Sequence, residues 1–219
     1  IKKNISLDVL KYAYNKYNKL ALVTEDLIES TKKIMDVPRK NYITHNIIDY
    51  KRITELSKKD IKFDASTICT VDINKLNEIL NSNNKKFINI GRFSKEKGHE
   101  RLINAFERLW KKDNSIYLII IGGQGPEYNN ILDRVNQSIC KNNMIIIKQI
   151  SNPYSILEKC DYFVLSSFYE GFGIVIAEAD ILGKPVISTN ISGPEKFMKK
   201  YGGTLVENSE DGLYNGLEL

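Results

Sequence analysis

From about residue 86 onward, short apolar runs alternate with segments of helical spacing. The runs lie at 87–90, 117–121, 144–147, 162–165, 185–187 and 204–206. They are largely β-branched or aromatic and about as long as a buried strand, so each predicts one. Between them, 99–110 places Leu102, Ile103, Phe106, Leu109 and Trp110 at spacings of three and four. Segment 126–140 opens on Pro126 and carries Ile131, Leu132, Val135 and Ile139 on one stripe. Both read as amphipathic helices packed on a sheet. A third helix, 173–182, is apolar nearly all round and predicts burial on every side. Strand and helix in strict turn predict an α/β fold, a Rossmann-like doubly wound parallel sheet.

The first 48 residues predict a helix, a strand at 20–23, a capped helix starting near Thr24 and a strand at 42–44. A polar stretch rich in Asn and Lys, 49–86, carries only weak helical signals. The junction is placed at 45–50, which separates residues 1–48 from a second domain at 49–219 with its core at 86–208. The chain starts at Ile1 without Met and ends at Leu219 within a helical pattern, and it reads as a fragment.

Composition narrows the classes. Of the 219 residues, 42% are hydrophobic and 27% charged, a globular balance that can bury a sizeable core. The net charge of +5 comes from scattered lysines with no dense basic stripe, which argues against nucleic acid as a partner. A mild positive field suits an anionic small ligand or loose contact with an anionic membrane face; a solvated lysine-rich surface is the bland alternative. Three cysteines, Cys69, Cys140 and Cys160, lack both disulfide and metal spacing, and a reducing cytoplasm fits them. The longest apolar run, 116–121, is far below the roughly 18 residues that span a bilayer, and no apolar leader opens the chain.

The candidate chemistry sits at the C-terminal ends of the predicted strands, where ligands bind in open α/β sheets. In Glu170-Gly171-Phe172-Gly173-Ile174-Val175-Ile176-Ala177-Glu178, two glutamates stand eight positions apart. A carboxylate on a buried helix costs several kcal/mol unless it is paired, so Glu178 requires a partner. A ribose diol, which can donate two hydrogen bonds to one carboxylate, is one candidate; neighbouring backbone or a lysine is the other. Gly171 and Gly173 permit close approach of backbone to ligand, and the helix start behind them presents N–H groups to phosphate. An acid/base pair of a glycoside hydrolase is disfavoured, because the helical rise and the intervening turn set the carboxylates at the two ends of a longer ligand.

A second cluster, Gly91-Arg92-Phe93-Ser94-Lys95-Glu96-Lys97-Gly98, follows a strand and precedes a helix. Arg92 and Lys97 are fixed cations that can neutralise a leaving diphosphate. The Gly122-Gly123-Gln124-Gly125 turn matches a dinucleotide fingerprint poorly, since Tyr128 stands where a third glycine belongs, and it reads as a tight turn beside a nucleotide cleft. No Asp-x-Asp pair or His/Cys/Asp cluster points to a metal. His99, at a helix start, reads as a surface or capping residue.

In order, these motifs resemble the C-terminal part of family-four glycosyltransferases of the two-Rossmann-domain GT-B type, over most of residues 20–212. The resemblance rests on Gly91-Arg92 with Lys97-Gly98, on 123–127 ending in Gly-Pro-Glu, and on 161–187 with its paired glutamates and Gly-Lys-Pro-Val-Ile. It implies that Arg92 and Lys97 hold the diphosphate of a nucleotide-sugar donor, that Glu170 contacts the transferred sugar, and that Glu178 holds the ribose. It further implies that backbone from Phe172 to Val175, including Gly173 and Ile174, contacts sugar and phosphates, and that the base lies near Ile150 and Ser151. Similar enzymes need no cofactor or metal and retain anomeric configuration, commonly explained by front-face displacement. The resemblance thus implies a retaining hexosyl-type transferase, with a uridine diphosphate sugar the first expectation for its donor. The acceptor, a glycan or lipid-linked glycan, belongs to an N-terminal domain of which 1–48 is a remnant, so the chain alone is expected to transfer poorly. Ser192-Gly193-Pro194-Glu195 and Tyr201-Gly202-Gly203 resemble members that build bacterial capsule, lipopolysaccharide or teichoic-acid chains, which implies the cytoplasm, at the inner membrane face, with peripheral membrane contact of the longer protein. A sugar-nucleotide epimerase or hydrolase of the same architecture, and a non-catalytic nucleotide-sugar-binding module, remain as alternatives.

Overall fold

A computed structural model describes residues 6–22, 28, 31–32, 41–44 and 46–219. The chain divides into two compact units, Ile1–Ile47 and Ile48–Leu219. In the first, α1 (Leu7–Tyr14) is capped by the Ser6 hydroxyl, which accepts from the Val9 N–H, and β1 (Leu20–Leu22) pairs in parallel with β2 (Asn41–Ile43). The helix expected from Thr24, together with Val23 and His45 at the ends of predicted segments, lies outside the described residues.

The second unit holds a seven-stranded sheet in the order β3-β6-β5-β4-β7-β8-β9. The strands are β3 (Ile68–Cys69), β4 (Lys86–Ile90), β5 (Tyr117–Ile121), β6 (Met144–Gln149), β7 (Tyr162–Leu165), β8 (Val186–Thr189) and β9 (Thr204–Val206). Strands β4 to β9 are parallel, and in their own order of succession they run 3-2-1-4-5-6, the Rossmann winding with its reversal between β4 and β7. Apolar layers cover both faces. One gathers Phe87, Phe106, Leu118, Ile120, Ile146 and Val164; the other gathers Ile88, Ile119, Ile121, Ile145, Ile147 and Phe163. Burial on both faces is why these strands read as unbroken apolar runs rather than as alternation.

The polar stretch before β4 is more ordered than its sequence predicts. It forms α2 (Tyr50–Ser57), capped by Asp49, and α3 (Ile73–Asn81), capped by Asp72, with β3 between them as an antiparallel addition to β6. Helix α3 buries Leu76, Ile79 and Leu80. The later helices are α4 (His99–Trp110), α5 (Tyr128–Asn136), α6 (Tyr154–Leu157), α7 (Ile174–Ile181), α8 (Ser192–Tyr201) and α9 (Glu210–Leu217). Helix α5 is shorter than the predicted 126–140: Pro126 stays in the preceding turn, and Ile139 beyond its end is exposed. Helix α7 is not buried all round. Ile176, Ala177 and Ala179 are buried, whereas Ile174 in its first turn is 44% exposed.

Candidate functional site

The site forms where the winding reverses. Ladder pairing between β4 and β7 stops at Ile88–Phe163, so the two strands part toward their C-terminal ends. Buried Asn89 bridges the opening, its side-chain amide donating to the Val164 carbonyl at 2.7 Å. Beyond it, the loop after β4 and the loop after β7 are tied together. The Phe168 N–H donates to the Glu96 carbonyl at 2.8 Å, and the Ser166 hydroxyl to the Lys97 carbonyl at 2.9 Å. Arg101, buried on α4, donates to the carbonyls of Ser166 and Ser167 at 2.6–2.8 Å. Desolvation lowers the Arg101 guanidinium to about 10, still charged at neutral pH. Gly98 has φ 64°, and a Cβ there would overlap the Ser166 carbonyl, so turn conformation and close approach both require glycine.

This framework brings Lys97 and Glu170 together. Lys97 Nζ donates to Glu170 Oε1, and the Ser167 hydroxyl donates to the same oxygen at 3.0 Å. Both side chains are largely shielded, 17% and 13% exposed, so the pair is held in a medium where its attraction is stronger than in bulk water. Gly91 lies beneath the Lys97 stem: a Cβ there would sit 3.4 Å from Lys97 Cδ. Arg92 is not drawn into this pair. Its side chain is 74% exposed and reaches Glu96 at 3.4 Å, while Glu96 also accepts from the Ser94 hydroxyl at 2.6 Å, which holds its carboxyl below the ordinary range.

The Glu170–Gly173 loop leads into α7. Gly173 is the N-cap in the left-handed region, φ 72°, and offers no side chain to the first-turn N–H groups of Ile174 and Val175. Gly171 is open, with nothing within 4 Å of a built Cβ, but its carbonyl lies against Gly193 of α8. Phe172 stands edge-on to Phe197 at 6.3 Å. Ile150, half-buried after β6, joins the apolar layer under α7. Glu178, one turn further along α7, has the partner that its sequence setting requires: the Tyr154 hydroxyl donates to its Oε1 at 2.8 Å. Burial pushes the Glu178 carboxyl upward, opposed by this hydrogen bond, and Tyr154 is raised to about 12 by burial and by Glu178.

Several residues here escape sequence reasoning. Arg101 had a signal, since it shares the α4 stripe with Ala105 and Leu109, where a charge needs fixed acceptors. Tyr154 had none, because its partner is 24 residues away. His99 differs from expectation: it is 2% exposed, tilted against Phe93 at 5.3 Å, with neither ring nitrogen hydrogen-bonded, because the turn through Gly98 points it inward. Phe93 also explains the glycine turn after β5, since a Cβ on Gly122 or Gly125 would overlap its ring or backbone. A groove of about 630 Å³ adjoins the Ser94–Gly98 turn, lined also by Glu100, Glu127, Glu210 and Arg134. Lys95 and Arg101 also line it, so its acidic and basic side chains are balanced, with Arg101 bound to the Ser166 and Ser167 carbonyls and Arg134 to Glu107.

Comparison with known proteins agrees with this architecture. The profile of the family described as "Glycosyl transferases group 1" matches residues 72–217. The capsular polysaccharide biosynthesis glycosyltransferase CapM of Staphylococcus aureus is 35% identical over 69% of this chain and 40% of its own length. An N-acetylgalactosaminyltransferase of Campylobacter jejuni, acting on a diphospho-undecaprenol-linked glycan by its name, is 27% identical over 89% of this chain and 47% of its own. Among solved structures, Anabaena HepE in complex with UDP and glucose superposes with a TM-score of 0.75 at 18% identity, covering 98% of this chain and 57% of that one. The chain thus spans about half the length of the curated relatives it matches. With the Rossmann winding, the paired loops at its reversal point and the profile match over most of the sheet, the chain belongs to the group 1 glycosyl transferases.

Proposed function

We propose that this chain supplies the donor-binding half of a retaining glycosyltransferase that uses a nucleoside diphosphate sugar, a uridine diphosphate sugar first, to extend a glycan or lipid-linked glycan of the bacterial cell surface. The observation that carries this reading is the meeting of Lys97 and Glu170 at the winding reversal, in front of a helix start with no side-chain cap. An ammonium ion and free first-turn N–H groups stabilise a diphosphate, most of all as its charge grows on departure from the sugar. In this reading Lys97 and Arg92 hold that diphosphate, and Arg92 leaves its exposed contact with Glu96 to do so. Glu170, released from part of its ion pair, accepts hydroxyl hydrogen bonds from the transferred sugar. Backbone of Gly171, Phe172, Gly173, Ile174 and Val175 lines the sugar and phosphates, Glu178 accepts from the ribose, and the base lies by Ile150.

The relatives' names support a cell-surface glycan product, and the HepE complex supports UDP as the nucleotide. Among the described residues no helix is long and apolar enough to cross a membrane. Membrane association would then rest on surface charge or on other parts of the protein, at the cytoplasmic face. No cofactor is assigned a role.

Calorimetry with UDP tests the reading. Lys97→Ala and Glu178→Gln should each weaken binding by about tenfold to a hundredfold, the worth of a hydrogen bond to a charged group. Wild-type affinity in both variants would place the ligand elsewhere. Product analysis with the protein joined to its acceptor-binding half then separates transfer from epimerisation or hydrolysis.

A further inference from the structure

Tyr154 lies on no strand end and in neither glycine loop, yet its phenol reaches the carboxylate proposed to hold the donor ribose. We propose that Tyr154 is a positioning residue for donor binding, fixing one oxygen of Glu178 so that the other is aimed at the ribose hydroxyls. This rests on the reading of Glu178 given above and adds to it the device that sets the carboxylate's direction.

The geometry is built from three sides. Asn152 accepts from the Tyr154 N–H at 3.2 Å through its side-chain oxygen, and its amide donates to the Leu56 carbonyl of α2 at 2.8 Å. This pins the start of α6, where Pro153 fixes the approach and Ser155, Ile156 and Leu157 are buried. Helix α2 packs against both α6 and α7, so one element sets the spacing between the phenol and the carboxylate. The phenol donates to Oε1 alone. A carboxylate has about four lone-pair sites, so Oε2 keeps its capacity for a ligand diol.

The arrangement also answers the energetic problem of a half-buried carboxylate on an apolar helix. Burial disfavours its charged form, and the Tyr154 hydrogen bond works against that shift. A phenol raised to about 12 remains a donor across the physiological range. Of the charged groups on the packed elements, which are Lys51, Arg52 and Glu55 of α2, Glu158 after α6 and Asp180 of α7, Arg52 acts on the phenol. Strands β7 and β8 under α7 bring no charged side chain. Removing the hydroxyl should therefore make Glu178 harder to ionise and free to rotate, while the ring still fills its place.

The experiment is UDP and 2′-deoxy-UDP titration by calorimetry across acid to neutral pH, on wild type, Tyr154→Phe, Glu178→Gln and the double variant, with melting curves to check folding. In Tyr154→Phe the pH at which UDP affinity halves should move upward by about one unit, because an ordinary pKa shift of that size follows from one lost charge-assisted bond. The preference for UDP over its 2′-deoxy analogue should fall about fivefold, as a less directed carboxylate loses part of a paired contact. The double variant should bind no worse than Glu178→Gln alone, as residues acting through one another must. If Glu178→Gln weakens binding but Tyr154→Phe leaves both the acid limb and the ribose preference unmoved, Tyr154 only packs and the proposal is overturned. If Glu178→Gln itself binds UDP like wild type, the ribose assignment fails first and the proposal falls with it.

Discussion

At the residue scale, His99 follows from the turn that positions Lys97. Gly98 in the left-handed region turns the chain so that the first residue of α4 enters the core against Phe93. The imidazole is buried without a hydrogen-bond partner, so its charged form is disfavoured, chiefly by desolvation and also by Lys97, and its pKa falls to about 4. The sign follows directly. A base depressed in the fold stabilises the fold while neutral, above its unfolded value near 6.5, and that contribution is lost as pH falls through the interval down to about 4. Between pH 8 and 5 the loss should be on the order of 2 kcal/mol. Urea denaturation at the two pH values measures it, and His99→Leu should flatten the dependence by that amount. An unchanged slope in the variant would show that another group controls acid stability. The sequence position of His99 gave no hint of this, because its fate depends on one glycine dihedral and not on the residues around it.

At the element scale, the helices and strands that were legible are those whose faces answer to a single environment. Strands β4 to β8 and helix α4 meet apolar layers along most of their length, and their runs and stripes predict them to within a residue or two. Elements in mixed environments were harder to read. Helix α7 is apolar apart from Glu178 and Asp180 but leaves Ile174 of its first turn exposed, and α2 and β3 are too short and too polar to carry a periodic signal. The candidate loops were visible as motifs, while their contacts were not. The Glu170–Gly173 loop, for instance, is held by α8: Gly193 is buried against the Gly171 carbonyl, with no room for a Cβ. Gly193→Ala must push that carbonyl or the helix away, at about 1–3 kcal/mol for overpacking a tight contact. We expect a lower urea midpoint and UDP affinity reduced about tenfold or more, since a displacement of roughly 1 Å spoils a positioned site. Gly171→Ala, which meets nothing within 4 Å, is the control and should leave the midpoint nearly unchanged. Equal effects of the two substitutions would refute the role given to the α8 contact.

At the scale of the whole molecule, alternation in the sequence was enough to give the class and winding of the sheet, because right-handed crossovers leave few ways to connect six parallel strands. The family resemblance puts Lys97 and Glu170 on one ligand, but not in a direct ion pair with each other, a contact between residues 73 apart that no local pattern carries. The charge balance of the opening leads to a last prediction. On the proposed reading, a diphosphate there would be met by Lys97, by exposed Arg92 and by the α7 N-terminus, within a chain of net charge +5. Among the described residues no group of three or more His, Cys, Asp or Glu side chains could hold a metal ion, and Glu170 is already bound to Lys97 and Glu96 to Arg92. In that reading the positive charge facing the diphosphate is that of Lys97, Arg92 and the start of α7. UDP affinity in excess EDTA should stay within about twofold of its value with magnesium, a difference of less than 1 kcal/mol. Raised salt should weaken it instead, because the exposed share of that charge is screened over roughly 10 Å or less. A loss of UDP binding on chelation that magnesium restores would mean that the cations named here do not carry the diphosphate.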